Sequence, residues 1–153
     1  MGARILVVDD EPSIVRLVAT TLRARGHEVF EASDGLEAIE KAAELKPDLI
    51  LLDIMMPRMD GREARKRLHA DPATANIPVI HLSALGDFEN QLEAMQDGLT
   101  DYVTKPFSPR ELAEQVEAFL NPEMRERARK EAAGKTRQLG TIVDIMHRRH
   151  DAD

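Results

Sequence analysis

The chain has 153 residues, 42% apolar and 32% charged, with a net charge of −7 and no cysteine. This composition suits one globular domain with a core of its own, and it excludes disulfides and thiolate metal sites. Charge is uneven: residues 1–120 hold 13 basic against 22 acidic side chains and residues 121–153 hold 8 against 6, so the larger part is a poor general binder of nucleic acid and the end reads as a different module. No apolar stretch approaches the roughly 20 residues of a membrane span. Met1-Gly2-Ala3-Arg4 runs into a strand without a secretory pattern. A cytoplasmic protein is the expectation.

Strand and helix patterns alternate from residue 4 to residue 120. Residues 4–9 read as a strand and 12–25 as a helix with Ile14, Leu17, Val18, Thr21 and Leu22 on one face. A short strand at 27–31 follows. Asp34-Gly35-Leu36-Glu37 is a capping box that opens a helix to about Leu45. Lys46-Pro47 breaks it, and 48–53 is a strand apolar along most of its length. Pro57 and Gly61 bracket a loop before a helix to about Ala70. Ile77–Ser83 is the fourth strand, Asp87–Gln96 a helix and Leu99–Thr104 the fifth strand. Ser108-Pro109-Arg110-Glu111 combines a capping serine, a proline at the first helical position and an acid at the third. That helix ends near Leu120.

The alternation predicts an α/β fold: a doubly wound, five-stranded parallel sheet flanked by five helices. Right-handed crossovers place every strand's carboxyl end on one edge, and ligands bind there where strand order reverses. In the order 2-1-3-4-5 the reversal lies between strands one and three. Those strands end in Asp9-Asp10 and in Asp53. Carboxylates at the tips of buried strands are costly unless a cation sits among them. Oxygen ligands of this kind suit Mg²⁺, which keeps several waters and needs only a partial cage. Separate helix N-caps are the plainer reading of each acid, but capping does not account for convergence. Lys105, after the fifth strand, would bring an ammonium to the same edge, and Ser83, ending the fourth, a hydroxyl. Each is also an ordinary residue for its position. Tyr102, the only tyrosine, reads alone as a half-buried strand aromatic.

These residues resemble the receiver domain of bacterial two-component response regulators, the CheY-like fold. The resemblance rests on Ile5-Leu6-Val7-Val8-Asp9-Asp10-Glu11, on Asp48 to Pro57 with Asp60-Gly61, on Ile77-Pro78-Val79-Ile80 to Ser83-Ala84, and on Asp101 to Phe107. It covers about residues 3–120. It implies that Asp53 accepts a phosphoryl group and that Asp10 ligates Mg²⁺ directly, with Asp9 holding or orienting the metal. It further implies a Met55 carbonyl ligand, Lys105 paired with Asp53 or its phosphate, and Lys105-Pro106 in cis. Ser83 would bind the phosphoryl group and move toward it, and Tyr102 would be the rotameric switch. Expected partners are a sensor histidine kinase or phosphotransfer protein and a downstream protein target, with no direct DNA or membrane contact. Leu99 after Gly98 departs from the family's usual small residue. Met55 and Leu85 flank the site, and Phe88 falls near the switch surface.

Residues 121–153 read as a helical C-terminal extension beyond a receiver domain at 1–120. Asn121-Pro122-Glu123 starts a helix to about Ala133, and Leu139, Ile142, Val143 and Met146 recur at helical spacing. That stripe calls for burial on the domain, in a homodimer or against a partner. His147 and His150 read as solvated surface or terminus. The expected function is a response regulator that takes a phosphoryl group on Asp53 and switches protein contacts, with no catalysis beyond its own phosphorylation and dephosphorylation. The alternative is a Mg²⁺-dependent phosphohydrolase with an aspartyl nucleophile. Its usual Asp-x-Asp follows strand one, whereas Asp9-Asp10 are adjacent here and Asp53 follows strand three.

Overall fold

The computed structural model describes residues 2–83, 97–127, 129–131 and 134. Five parallel strands lie in the order β2-β1-β3-β4-β5. They are β1 (Arg4–Val8), β2 (Glu28–Ala32), β3 (Leu49–Asp53), β4 (Val79–Ser83) and β5 (Thr100–Thr104). The helices described are α1 (Pro12–Ala24), α2 (Gly35–Leu45), α3 (Gly61–Ala70) and α4 (Pro109–Phe119). The expected helix at 87–96 lies outside the described residues, as do Leu85, Phe88, the stripe at 139–146, His147 and His150. Among the described residues no helix is long and apolar enough to cross a membrane.

Alternation along the strands builds two apolar layers. Ile5, Val7, Leu49, Leu51, Ile80 and Leu82 face α1 and α4, where Val18, Leu22, Leu112 and Val116 meet them. Leu6, Val8, Ile50, Leu52 and Val79 face the other way, against Ala38, Ala42, Ala64 and Leu68. Every residue of β3 is buried, including Asp53. Each fully buried branched side chain contributes about 1.5–3 kcal/mol, so this central strand is a stiff mount for whatever its tip carries.

Caps set the helix starts. Asp34 accepts the Glu37 N–H at 2.8 Å, Asp60 that of Glu63 at 2.9 Å and Ser108 that of Glu111 at 3.4 Å. The α2 box closes one residue early, because Glu37 accepts from the N–H and hydroxyl of Ser33 rather than from Asp34. These bonds, with Lys41 first among the causes, hold the Glu37 carboxyl below its ordinary pKa.

Two local expectations are corrected. The buried face of α1 is Val15, Val18, Ala19 and Leu22, while Leu17 is 43% exposed. Helical residues are about 100° apart, so a stripe through 15, 18, 19 and 22 turns Leu17 outward. The fourth strand begins at Val79 rather than Ile77. Pro78 has no N–H for the ladder, and the Ile77 N–H closes a turn on the Thr74 carbonyl at 3.2 Å. After α4, residues 122–127 are helical. Asn121 Oδ1 accepts the Glu123 N–H at 2.9 Å, and Arg125 donates to the Phe119 and Leu120 carbonyls at 2.8 and 3.2 Å.

Candidate functional site

Parallel register brings the strand tips together. Val8 pairs with Leu52, Asp53 with Leu82 and Ser83 with Thr104. Asp9, Asp53, Ser83 and Lys105 therefore share one edge, at the reversal of strand order. One carboxylate oxygen each from Asp9, Asp10 and Asp53 lies within 4.8 Å of the others. Asp9 and Asp53 are buried, whereas Asp10 is exposed. None of the three is a helix N-cap: Glu11 occupies that position for α1, and Asp9 Oδ1 accepts its N–H at 2.9 Å.

Lys105 Nζ lies 3.0 Å from Asp9 Oδ2 and 3.4 Å from Asp53 Oδ1. Its backbone N–H donates to the Ser83 carbonyl at 2.7 Å, and the Lys105-Pro106 bond is cis. Burial lowers the Lys105 pKa, but hydrogen bonding to Asp9 and the charges of Asp53 and Asp9 outweigh it, leaving the ammonium above its ordinary value. Asp53 moves the other way. Burial and then the Asp9 charge push its carboxyl up to about 6, against Lys105 and the Met55 N–H, which favour the anion. One ammonium does not balance two buried carboxylates with a third beside them.

Oxygen donors at this spacing, with residual negative charge and an open side at Asp10, fit a hard divalent cation. Asp9, Asp10 and Asp53 are the side chains that could hold it. The Met55 side chain is 75% exposed, which leaves that part of the edge open to solvent.

Ser83 is buried at the tip of β4 and Tyr102 is 9% exposed on β5. Tyr102 O accepts from Gln115 Nε2 at 2.9 Å, and Gln115 also donates to Asp101 at 3.2 Å, tying this edge strand to α4. Burial raises both the Asp101 carboxyl and the Tyr102 phenol.

Two residues near the site have a part that the motifs do not disclose. Gly61 opens α3 directly against the end of β3: its N–H donates to the Ile54 carbonyl at 2.8 Å. A Cβ there would stand 2.2 Å from the Asp53 carbonyl oxygen. His81, fully buried on β4, is the other. A histidine inside an apolar strand is the signal that points to it. Its pKa is lowered to about 3, chiefly by burial, with Arg65, Arg62 and His69 opposing the cation. The folded protein thus keeps His81 neutral while the unfolded chain protonates it near 6.5. Its stabilising contribution is full above that value and falls as pH drops. Between pH 6.5 and 5 the wild type is expected to lose about 1.1 kcal/mol per pH unit more than His81→Leu does. Urea unfolding of both across that range checks this, and parallel slopes would refute it.

The chain matches the response regulator receiver domain family over residues 5–117. It is 43% identical over 120 residues to the phosphate regulon transcriptional regulatory protein PhoB of Pseudomonas aeruginosa, covering 78% of this chain and 52% of that protein. It is 40% identical over 153 residues to the response regulator PleD of Caulobacter vibrioides, covering 97% of this chain and 33% of PleD. The structure of the chemotaxis response regulator CheY4 of Vibrio cholerae superposes with a TM-score of 0.71 at 34% identity, covering 78% of this chain and 99% of that one. The chain spans about half the length of PhoB and a third of PleD.

Proposed function

This chain belongs to the response regulator receiver domain family, and from that premise we propose that Asp53 accepts a phosphoryl group from a phosphohistidine and thereby switches contacts with other proteins. The observation that carries the reading is the convergence of Asp9, Asp10, Asp53 and Lys105 at the topological reversal. We assign residues 1–120 to the receiver and 121–153 to a helical extension of separate role.

In the transfer, an Asp53 oxygen forms a bond to phosphorus as the donor's nitrogen–phosphorus bond breaks, and the leaving imidazole takes up a proton. Asp53 must be ionised to attack. Lys105, already within 3.4 Å, offsets charge on the phosphoryl oxygens and then pairs with the product. Ser83 donates its hydroxyl to the new group. Mg²⁺ held by Asp9, Asp10, Asp53 and the Met55 carbonyl would supply further charge stabilisation. The added charge and acceptor oxygens draw Ser83 toward the site and bias Tyr102, which biases a two-state surface.

A donor protein can approach beside Lys105. Ile14, Leu17, Pro106 and Phe107 line an apolar hollow of about 350 Å³ with it, and exposed Leu17 suits the apolar face of a kinase or phosphotransfer helix. Such a donor implies a cytoplasmic setting. The transcriptional roles named for relatives belong to those longer proteins; here the output is assigned to protein contacts, with a downstream target or a second copy.

The test is incubation with acetyl phosphate and Mg²⁺, or with beryllofluoride, followed by intact-mass and peptide analysis. One adduct on Asp53 is expected. Steady turnover of a small phosphate ester that Asp53→Asn abolishes would instead favour a phosphohydrolase.

A further inference from the structure

His81 sits under the switch rather than in the phosphoryl site. It pairs in register with Tyr102 on β5, and its ring centroid is 5.1 Å from the Tyr102 ring at a 40° tilt. On its other side, Nδ1 lies 3.1 Å from the carbonyl oxygen of Leu52, the residue before Asp53. A carbonyl only accepts, so Nδ1 carries the proton and Nε2 is left as a bare acceptor. Nε2 is buried and, among the described residues, has no hydrogen-bond partner.

One imidazole therefore touches β3 beside Asp53, stands two residues before Ser83 on β4, and packs against Tyr102 on β5. Leucine would fill an apolar strand position without stranding a polar atom. The ring's contribution has to be sought in what it touches. A tilted aromatic pair constrains both rings through its quadrupoles more narrowly than an aliphatic contact does. The bond to Leu52 prevents the imidazole from turning away.

We propose that His81 is a positioning residue: tethered to the strand that carries Asp53, it holds the Tyr102 ring in its buried orientation. Movement of the end of β3 is thereby transmitted to Tyr102 directly, in addition to any displacement of Ser83. This rests on the phosphoacceptor reading of Asp53 for its consequence, but the positioning itself is present in the unphosphorylated chain.

The chain has one tyrosine and no tryptophan, so its intrinsic fluorescence reports Tyr102 alone. Acrylamide quenching is measured for the full chain as wild type, His81→Leu and His81→Phe, without phosphodonor. Quenching is expected to rise roughly three-fold in His81→Leu, with His81→Phe in between because it keeps a ring but loses the tether. Equal quenching in all three would overturn the proposal. Should the variants fail to fold, nuclear Overhauser contacts between the His81 and Tyr102 rings in the wild type decide it, and their absence is equally fatal. The mass of the Asp53 adduct, followed separately, tests the phosphoacceptor reading: its loss in the wild type would sink that reading and leave the quenching result standing.

Discussion

Asp53→Asn is expected to abolish phosphoryl uptake and, in metal-free buffer, to make the protein more stable. The first effect follows from the proposed role of Asp53 as the phosphoacceptor. The second follows from electrostatics. Burial and Asp9 raise the Asp53 carboxyl to about 6 from an ordinary 3.8. A carboxyl raised in this way favours the fold while protonated, and that advantage is lost as pH climbs from the unfolded value through the folded one. At pH 8 with EDTA the wild type carries the full cost, about 2–3 kcal/mol. Asparagine keeps the shape and removes the charge. Its unfolding midpoint should lie about 4–12 °C above the wild type at pH 8, with the gap nearly closed at pH 4. Mg²⁺ should raise the wild type far more than the variant, because it binds the folded carboxylates. A wild type as stable as Asp53→Asn at pH 8 in EDTA would show that Lys105 alone balances the cluster. The proposed phosphoacceptor would then be at no electrostatic disadvantage before activation.

Much of this site can be read from the sequence because each member stands at the end of a strand. Ile5–Val8 and Leu49–Leu52 are apolar runs that have to be buried, and the charges that follow them fall at one edge once the crossovers are right-handed. Asp9, Asp10, Asp53 and Lys105 need no more than that to be brought together. What could not be read depends on distances between elements. The period of α1 is compatible with Leu17 inside or outside, and the choice falls to how the helix rolls on β1. Gly61 looks like a loop glycine until α3 is seen to start against the Asp53 carbonyl. His81 looks like a polar lapse in a core strand until Tyr102 is placed beside it. For His81 the partner lies on the neighbouring strand, and for Gly61 it lies across the loop that returns the chain to the end of β3, where no local pattern reaches.

Gly61→Ala is expected to reverse the usual sign of that substitution. In the first turn of a helix, alanine for glycine ordinarily stabilises by about 0.4–1 kcal/mol through the unfolded chain. Here the new Cβ would stand 2.2 Å from the Asp53 carbonyl oxygen and 2.9 Å from both the Asp53 carbonyl carbon and the Ile54 Cα. These are backbone atoms, so no rotamer relieves the contact. Either α3 withdraws and loosens Ala64 and Leu68 from their layer, or the end of β3 moves and carries Asp53 with it. The first route costs packing, about 2–4 kcal/mol. The second displaces the proposed phosphoacceptor, and a shift approaching 1 Å would slow phosphoryl uptake by roughly ten- to a hundred-fold. Gly26→Ala separates this from general damage. Gly26 has a φ of +90° but open space around its missing Cβ, so alanine there should cost about 1–2 kcal/mol in backbone strain and leave uptake at Asp53 unchanged. Urea unfolding and acetyl phosphate uptake measured on both variants distinguish the outcomes. A Gly61→Ala protein with wild-type stability and wild-type uptake would mean that α3 yields freely, and that the close approach to β3 does not help to hold Asp53 in place.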